Sequence, residues 1–349
     1  MTRWYESSKC EESAVIAGQI CFVRNIDGYP FEDKMTDEQQ LELLQAVSNA
    51  VKQIQQTLEL DFRFYHLGEM TEHEVNSLIG RLAIAPLMME NRAHAGLMVS
   101  EDDEISILIN GKEHICVQIS CPGHSIREAY VLMNRVDDLI NSKLTYAFSD
   151  KYGYLTASPL LAGTGMTASY LMHLPMLDDN KKIAGFEKEL SQYGFILGGH
   201  FHGRSQAPGS IYRVRNRKTL GLSEPEIISA LEHLTLQIRQ QEEQLAAAAM
   251  MTSAAHQKNL VYRAYGLLRY AMELNYDETM TCLSLLRTGQ LGGCLDKQAL
   301  PSVFAAMIEI DENILRSGQT PPAGEADVNR LRAARIHGCL GNVPAPDTE

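Results

Sequence analysis

A β-hairpin signal followed directly by a capped helix constrains the fold of this chain most strongly. Residues 105–109 and 114–120 are β-rich runs, and the pair Asn110-Gly111 between them favours a tight hairpin turn. Ser125 and Glu128 then form a predicted capping box for an amphipathic helix. Further short β-like runs alternate with helical segments downstream, so the sequence predicts an α+β fold with helices packed on a sheet.

Helical periodicity divides the chain into three parts. A capping box at Thr36 and Gln39 opens the first helical segment, and residues 1–87 are predicted to form a small helical N-terminal subdomain. Strands and helices alternate over residues 88–252, where a capping box of Ser223 and Glu226 opens the last helix. Helical segments return after this α+β domain, so residues 257–349 are predicted to form a helical C-terminal domain.

Net charge argues against two classes of partner. The 349 residues include 31 basic and 44 acidic side chains, which gives a formal net charge of −13. Nucleic acids and anionic membranes require a concentrated basic face, so we expect neither as a partner. The one dense basic cluster is Arg213, Arg215, Arg217 and Lys218. Its alternation is typical of one face of a strand, and we expect a solvated strand edge there.

The sequence contains no signal for export, membrane insertion or metal binding. No apolar run approaches the ~18 residues of a membrane span, and residues 1–10 lack the apolar core of a signal peptide. The seven scattered cysteines include no Cys-x-x-Cys pair. His200 and His202 could share one side of a loop, but no acidic or cysteine partner is near in sequence, so we expect a surface loop. These features predict a cytoplasmic protein without a metal.

A series of short motifs, in a fixed order over residues 12–336, resembles the bacterial protein-arginine kinases. Among them are Val23-Arg24-Asn25-Ile26, Val136-Asp137-Asp138, Gly153-Tyr154-Leu155-Thr156, Met172-His173-Leu174-Pro175 and Tyr262-Arg263. That family is grouped with the creatine and arginine kinases, which move the γ-phosphoryl group of ATP to a guanidinium nitrogen. The resemblance implies a helical N-terminal subdomain and a catalytic-type domain with a large antiparallel sheet flanked by helices. It also implies a helical C-terminal domain that supports dimerisation and holds a phosphoarginine pocket.

Phosphoryl transfer requires fixed positive charge more than it requires covalent help from the protein. ATP is a polyanion, and the planar guanidinium of arginine binds phosphate oxygens in pairs. The guanidinium acceptor is a very weak acid, so carboxylates must orient and deprotonate it. An active member of the family therefore needs a set of arginines and acidic residues at the acceptor.

The family's nucleotide-binding residues are replaced at every position that we compared. Five positions are arginines in the family motifs, and the sixth is a histidine that approaches the nucleotide and corresponds to Leu82. In chain order, the family-equivalent ATP positions hold Gln19, Cys21, Leu82, Cys116, Thr167 and Gly198. We expect that these side chains cannot neutralise a triphosphate.

The acceptor side of the family site is altered as well. The catalytic glutamate corresponds to Lys112, the reactive cysteine to Ser158, and two further acidic residues to Gly203 and Gln206. One lost transition-state contact commonly costs about 3 kcal/mol, so we expect no catalysis by the family mechanism. Lys112 and Arg204 could replace part of the lost positive charge from new positions, although they would not restore the carboxylates.

The sequence therefore predicts a catalytically inactive pseudokinase that acts as a binding or regulatory partner in protein quality control, with no cofactor. The alternative is an active ATP:guanido phosphotransferase with a rebuilt site, which would use ATP and Mg²⁺. The expected partners are proteins: a second copy in a homodimer, an active paralogue, or quality-control components. In the phosphoarginine pocket that the resemblance implies, Asp327 and Arg330 match the family motif, while its first arginine corresponds to Ala326. A solvated helix face is the alternative there.

Overall fold

A computed structural model describes residues 2–84, 92–201, 207–317 and 324–341 of the chain. The strands are β1 (Val15–Arg24), β2 (Phe62–His66), β3 (Gly96–Ser100), β4 (Ile105–Ile109), β5 (Ile115–Pro122), β6 (Phe148–Ser149), β7 (Gly153–Tyr154), β8 (Met166–His173), β9 (Phe195–Gly199) and β10 (Ile211–Asn216). The helices are α1 (Asp37–Leu58), α2 (Glu72–Gly80), α3 (Ile126–Asn141), α4 (Pro175–Asp179), α5 (Ile183–Gln192), α6 (Glu224–Tyr270), α7 (Tyr276–Leu291), α8 (Val303–Glu309), α9 (Glu312–Arg316) and α10 (Glu325–Cys339).

Eight strands form one sheet in the order β2-β3-β4-β5-β1-β8-β10-β9, and each neighbouring pair is antiparallel. The central strand β1 pairs with β5 and β8. Apolar residues of α1, α3 and α6 pack against one face of this sheet in a single core. The predicted α+β fold with a large antiparallel sheet flanked by helices is confirmed.

Local signals in the sequence account for several of these elements. The predicted hairpin is formed by β4 and β5, and Asn110 adopts a left-handed φ of 54° in its turn. The capping boxes predicted at Thr36 and at Ser223 are both present. The capping box predicted at Ser125 is wrong, since its side chain makes no capping hydrogen bond to α3.

The segment before residue 88 contributes more than the helices that its periodicity predicts. It contains α1 and α2, but also the central strand β1 and the edge strand β2. β1 is almost wholly buried because it has a strand on each side and a packed layer on each face. A purely helical description of this segment is therefore incomplete.

The C-terminal part is helical, as predicted, and packs against the start of the chain. A second core joins Trp4 and Tyr5 to apolar residues of α7, α8 and α10. Helix α6 continues past the predicted end near residue 251, with non-helical dihedral angles at Ser253 (φ −149°, ψ 40°), and reaches Tyr270. The boundary predicted between residues 252 and 257 therefore falls within one long, interrupted helix.

Candidate functional site

The face of the sheet opposite α1, α3 and α6 carries most of the predicted nucleotide positions. On β1, Ile20 and Phe22 point into the core beneath those helices. Since side chains alternate along a strand, Gln19 and Cys21 point to the opposite face. We call this surface the open face and define it by Gln19, Cys21, Cys116, Thr167, Ser169, Arg213 and Arg215. Apolar residues of α2 and of residues 83–84 cover its end at Cys21 and Cys116.

Strand register brings together, on the open face, the five positions at which the family resemblance implies arginines. Cys21 lies opposite Thr167 of β8, and its Sγ is 2.8 Å from the Sγ of Cys116 on β5. Gly198 of β9 lies opposite Arg213 of β10, and the Arg213 guanidinium reaches Gln19. The sequence comparison thus identified a contiguous surface, although the residues that form it are far apart in the chain.

Three of the side chains at these positions form hydrogen bonds within the sheet. Gln19 Nε2 donates to Ser120 Oγ at 3.0 Å, and the thiols of Cys21 and Cys116 share a hydrogen bond. The hydrogen bond with Cys21 and burial both raise the pKa of Cys116 well above its ordinary value. The Cys116 thiol is therefore neutral at physiological pH, and a cysteine side chain offers no positive charge in any case.

Leu82, the sixth predicted nucleotide position, lies beside the same face. Its backbone has a left-handed φ of 64°, and its carbonyl accepts a hydrogen bond from Gln118 Nε2 at 2.5 Å. Gln118 lies directly opposite Cys21 in the sheet. The Leu82 side chain is buried, so an apolar group stands where the family resemblance implies a histidine.

Arg213 is a residue of the open face that the sequence analysis misinterpreted. Strand β10 lies between β8 and β9 instead of at an edge, so the predicted solvated strand edge is wrong. Arg213 Nη1 donates to Gln19 Oε1 at 2.5 Å and to Ser169 Oγ at 2.8 Å. Burial, and then the nearby charge of Arg215, lower the pKa of Arg213 to about 10. The alternation of arginines along β10 was the signal that could have indicated a cationic surface.

The hairpin between β4 and β5 positions two of the predicted catalytic residues around one carboxylate. Lys112 precedes Glu113, which is 1% exposed. Glu113 accepts hydrogen bonds from Asn25 Nδ2 at 2.6 Å, from the Ala157 amide at 2.8 Å and from the Ser158 amide at 3.1 Å. Ser158 is thereby tied to the hairpin. The other two predicted positions, Gly203 and Gln206, lie outside the described residues, as do His202 and Arg204.

Arg24 does not contribute a charge to the open face. Its guanidinium is buried and bonds to both carboxylate oxygens of Asp137 at 2.9 to 3.1 Å. It also stacks on Tyr154, with 3.6 Å between the guanidinium carbon and the ring centre. Arg24 thus stabilises the packing of β1 against α3 and is not available for a ligand.

The predicted phosphoarginine positions lie on the surface of α10. Asp327 and Arg330 form an exposed ion pair at 3.4 Å, and Arg330 Nε also lies 3.0 Å from Glu273. The structure therefore brings these two residues together, with the charge of Arg330 balanced by two carboxylates. Across residues 2–84, 92–201, 207–317 and 324–341, no group of His, Cys, Asp and Glu side chains could hold a metal ion. In the same ranges, no helix is long and apolar enough to cross a bilayer.

Known proteins match this chain over most of its length. Residues 42–245 match the ATP:guanido phosphotransferase C-terminal catalytic domain, and residues 254–349 match the protein-arginine kinase McsB C-terminal domain. Among solved structures, lombricine kinase superposes with a TM-score of 0.59 at 21% identity over 68% of each chain. The duplicated taurocyamine kinase from Schistosoma mansoni gives 0.59 at 19% identity over 71% of this chain and 37% of its own. These likenesses identify the fold as that of the guanido phosphotransferases.

Sequence relatives identify the family within this fold class. The protein-arginine kinase of Desulforamulus reducens is 35% identical over 291 residues, which cover 82% of this chain and 81% of the relative. The protein-arginine kinase of Clostridium kluyveri is 35% identical over 323 residues, with 92% and 93% covered. The chain belongs to the protein-arginine kinase family of ATP:guanido phosphotransferases.

Proposed function

We propose that this chain is a family member that no longer transfers phosphoryl groups and instead acts by binding, as a partner or regulator in protein quality control. One observation carries the proposal. The five positions at which the family resemblance implies phosphate-binding arginines share the open face of the sheet. They hold Gln19, Cys21, Cys116, Thr167 and Gly198, none of which is charged.

The contacts among these residues support a surface adapted to the absence of nucleotide. An uncharged polar group on such a face must bond to something, and Gln19 and the two thiols find partners in the sheet itself. Replacing arginines by neutral groups that bond within the sheet leaves no phosphate-binding donors at these five positions. The cost to catalysis is large, since a single arginine can contribute 10³–10⁵ in rate in related phosphoryl transfers.

The acceptor side supports the same proposal. A guanidinium substrate needs a carboxylate that can receive it, and Lys112 stands where the family has its catalytic glutamate. The neighbouring carboxylate of Glu113 is buried, and three hydrogen bonds hold it to Asn25 and the segment at Ala157 and Ser158. Its geometry favours a role in fixing the loop rather than in deprotonating a substrate.

The alternative is an active kinase with a rebuilt site that uses ATP and Mg²⁺. Arg213 and Arg215 favour it, because both place a guanidinium on the open face. They do not replace the carboxylates of the acceptor, so we rank this function second. A protein partner follows from the first function, and we propose three types: a second copy, an active paralogue or other quality-control proteins.

A titration with Mg-ATP, followed by thermal unfolding, tests the proposal. A ligand at 100 times its dissociation constant adds about 2.7 kcal/mol to the stability of the state that binds it. We expect no saturable rise in melting temperature at submillimolar Mg-ATP. The protein-arginine kinase of Desulforamulus reducens, measured in parallel, shows what the assay detects for a relative. A saturable rise for this chain at those concentrations would contradict the proposal.

A further inference from the structure

Arg213 is a partly buried cation that pairs with no carboxylate of the described residues. Its hydrogen bonds within the described residues go to Gln19, Ser169 and His200, and none of the ion pairs there includes it. Enclosed charges in proteins are normally paired, because an unpaired one loses its hydration without compensation.

The two edges of the Arg213 guanidinium are held very differently. Nη1 makes short hydrogen bonds to Gln19 and Ser169, at 2.5 and 2.8 Å, which fix the orientation of the group. Nε and Nη2 have only His200 Nδ1, at 3.4 Å each, which is long for a hydrogen bond. The Nε–Nη2 edge is a pair of parallel donors, the arrangement that binds two oxygens of an oxyanion.

A second cation and open space adjoin that edge. Arg215 follows Arg213 on the same face of β10, close enough to lower its pKa, and its side chain forms no hydrogen bond or ion pair with the described residues. Gly198 lies directly opposite Arg213, and a Cβ placed there would meet no atom of the described residues within 4 Å. An anion of modest size can therefore approach Arg213 from the side of Gly198.

We propose that Arg213 and Arg215 bind a single phosphoryl group above Gly198, with the oxygens of the ligand replacing the long His200 contact. Two guanidinium charges match the charge of about −1.5 to −2 that a phosphate monoester carries at pH 7. Neither arginine occupies one of the five family positions, and the inference therefore does not rest on the proposed function.

Inorganic phosphate and adenosine 5′-monophosphate are the probes, each titrated at constant ionic strength with chloride as the replaced anion. Constant ionic strength matters because simple screening would otherwise shift the stability of an acidic protein. We expect a saturable rise in melting temperature with phosphate. An equal response to the nucleotide means that the phosphoryl group alone is recognised, and a response to phosphate only identifies the free ion as the ligand. If neither probe gives a saturable rise, the proposal is wrong.

Three variants locate the binding. Arg213→Met removes the charge and keeps the length of the side chain, and we expect about tenfold weaker phosphate binding or more, as for the loss of a charge-assisted bond. Gly198→Leu keeps both arginines and fills the open space, and we expect a similar loss. Lys188→Met makes the same charge change on the exposed surface of α5, which packs beneath β9, and should leave binding unchanged.

Folding of each variant is checked by circular dichroism and by the fluorescence of Trp4. If Arg213→Met does not fold, Gly198→Leu still tests the proposed phosphate site, because it leaves both arginines unchanged. Undiminished phosphate binding in a folded Gly198→Leu or Arg213→Met protein would refute the site. The Mg-ATP titration separates this result from the proposed function, since phosphate binding without submillimolar Mg-ATP binding supports both.

Discussion

Replacing Arg287 by methionine should loosen the start of the chain from the C-terminal helices. Arg287 of α7 is fully buried and pairs through Nε with Glu11 Oε2 at 3.1 Å. Its Nη2 donates to the carbonyls of Cys10 and Ser13 at 2.6 and 2.9 Å. The other Glu11 oxygen accepts from the Phe304 amide at 2.8 Å, in the first turn of α8. One ion pair thus fixes three segments of the chain.

The expected loss follows from what the substitution leaves behind. Methionine fills much of the space of arginine but leaves the Glu11 carboxylate without its counter-ion. That carboxylate is 6% exposed and keeps only the hydrogen bond from the Phe304 amide. Breaking a buried ion pair in this way typically costs about 3–5 kcal/mol. Adding Glu11→Gln removes the unpaired buried charge. The double variant should therefore be measurably more stable to unfolding than Arg287→Met alone.

The fluorescence of Trp4 allows unfolding to be followed at this contact. It is the only tryptophan of the chain, is 6% exposed, and its ring centre lies 6.2 Å from that of Phe304. Urea unfolding followed by Trp4 emission therefore reports on this contact. Arg335→Met, which breaks the pair of Arg335 with Glu309 on the surface, is the matched control and should cost at most about 1 kcal/mol. A loss below about 1 kcal/mol for Arg287→Met, or no recovery in the double variant, would refute the reasoning.

Three further outcomes are expected. Neither single variant, Lys112→Glu or Cys116→Arg, should phosphorylate a protein arginine substrate, because each restores one position among many. Activity in either variant would show that the phosphoryl-transfer site is less altered than we propose. In the folded protein, Cys21 and Cys116 should react with iodoacetamide far more slowly than the half-buried Cys294 and Cys339. Mass spectrometry of the labelled peptides measures the rates, and equal rates would contradict the burial of Cys21 and Cys116. Burial raises the pKa of Glu242 to about 7 from 4.5, so its contribution to stability is full below about pH 4.5 and is lost as the pH rises through about 7. Glu242→Gln should therefore gain up to about 3 kcal/mol relative to the unaltered protein over that range in urea unfolding, and a constant difference would contradict the shift.

The sequence predicted elements whose signals are local. The Asn110-Gly111 turn and the capping boxes at Thr36 and Ser223 each depend on a few neighbouring residues, and all three are present. β1 was missed because a central strand buried on both faces has no alternation of apolar and polar residues to recognise. Ser125 shows the opposite error, since the pattern of a capping box was present without the bond.

The candidate site depends on contacts that no local pattern encodes. The motif resemblance selected Cys21 and Cys116, which are 95 residues apart, but their thiol contact arises only from the register of β1 against β5. The alternation of Arg213 and Arg215 correctly indicated a shared face. It could not show that β9 covers the outer side of β10, because strand neighbours are set by tertiary packing.

Transfer of the γ-phosphoryl group of ATP to protein arginine tests the central claim most directly. The chain and the protein-arginine kinase of Clostridium kluyveri would be incubated side by side with Mg-ATP labelled at the γ position and a common protein substrate. Acid-labile label on arginine, identified by mass spectrometry, is the readout. We predict label with the relative and none above the no-enzyme background with this chain. Label that depends on this chain and is lost in its Arg213→Met variant would contradict the account and establish an active kinase with a rebuilt site.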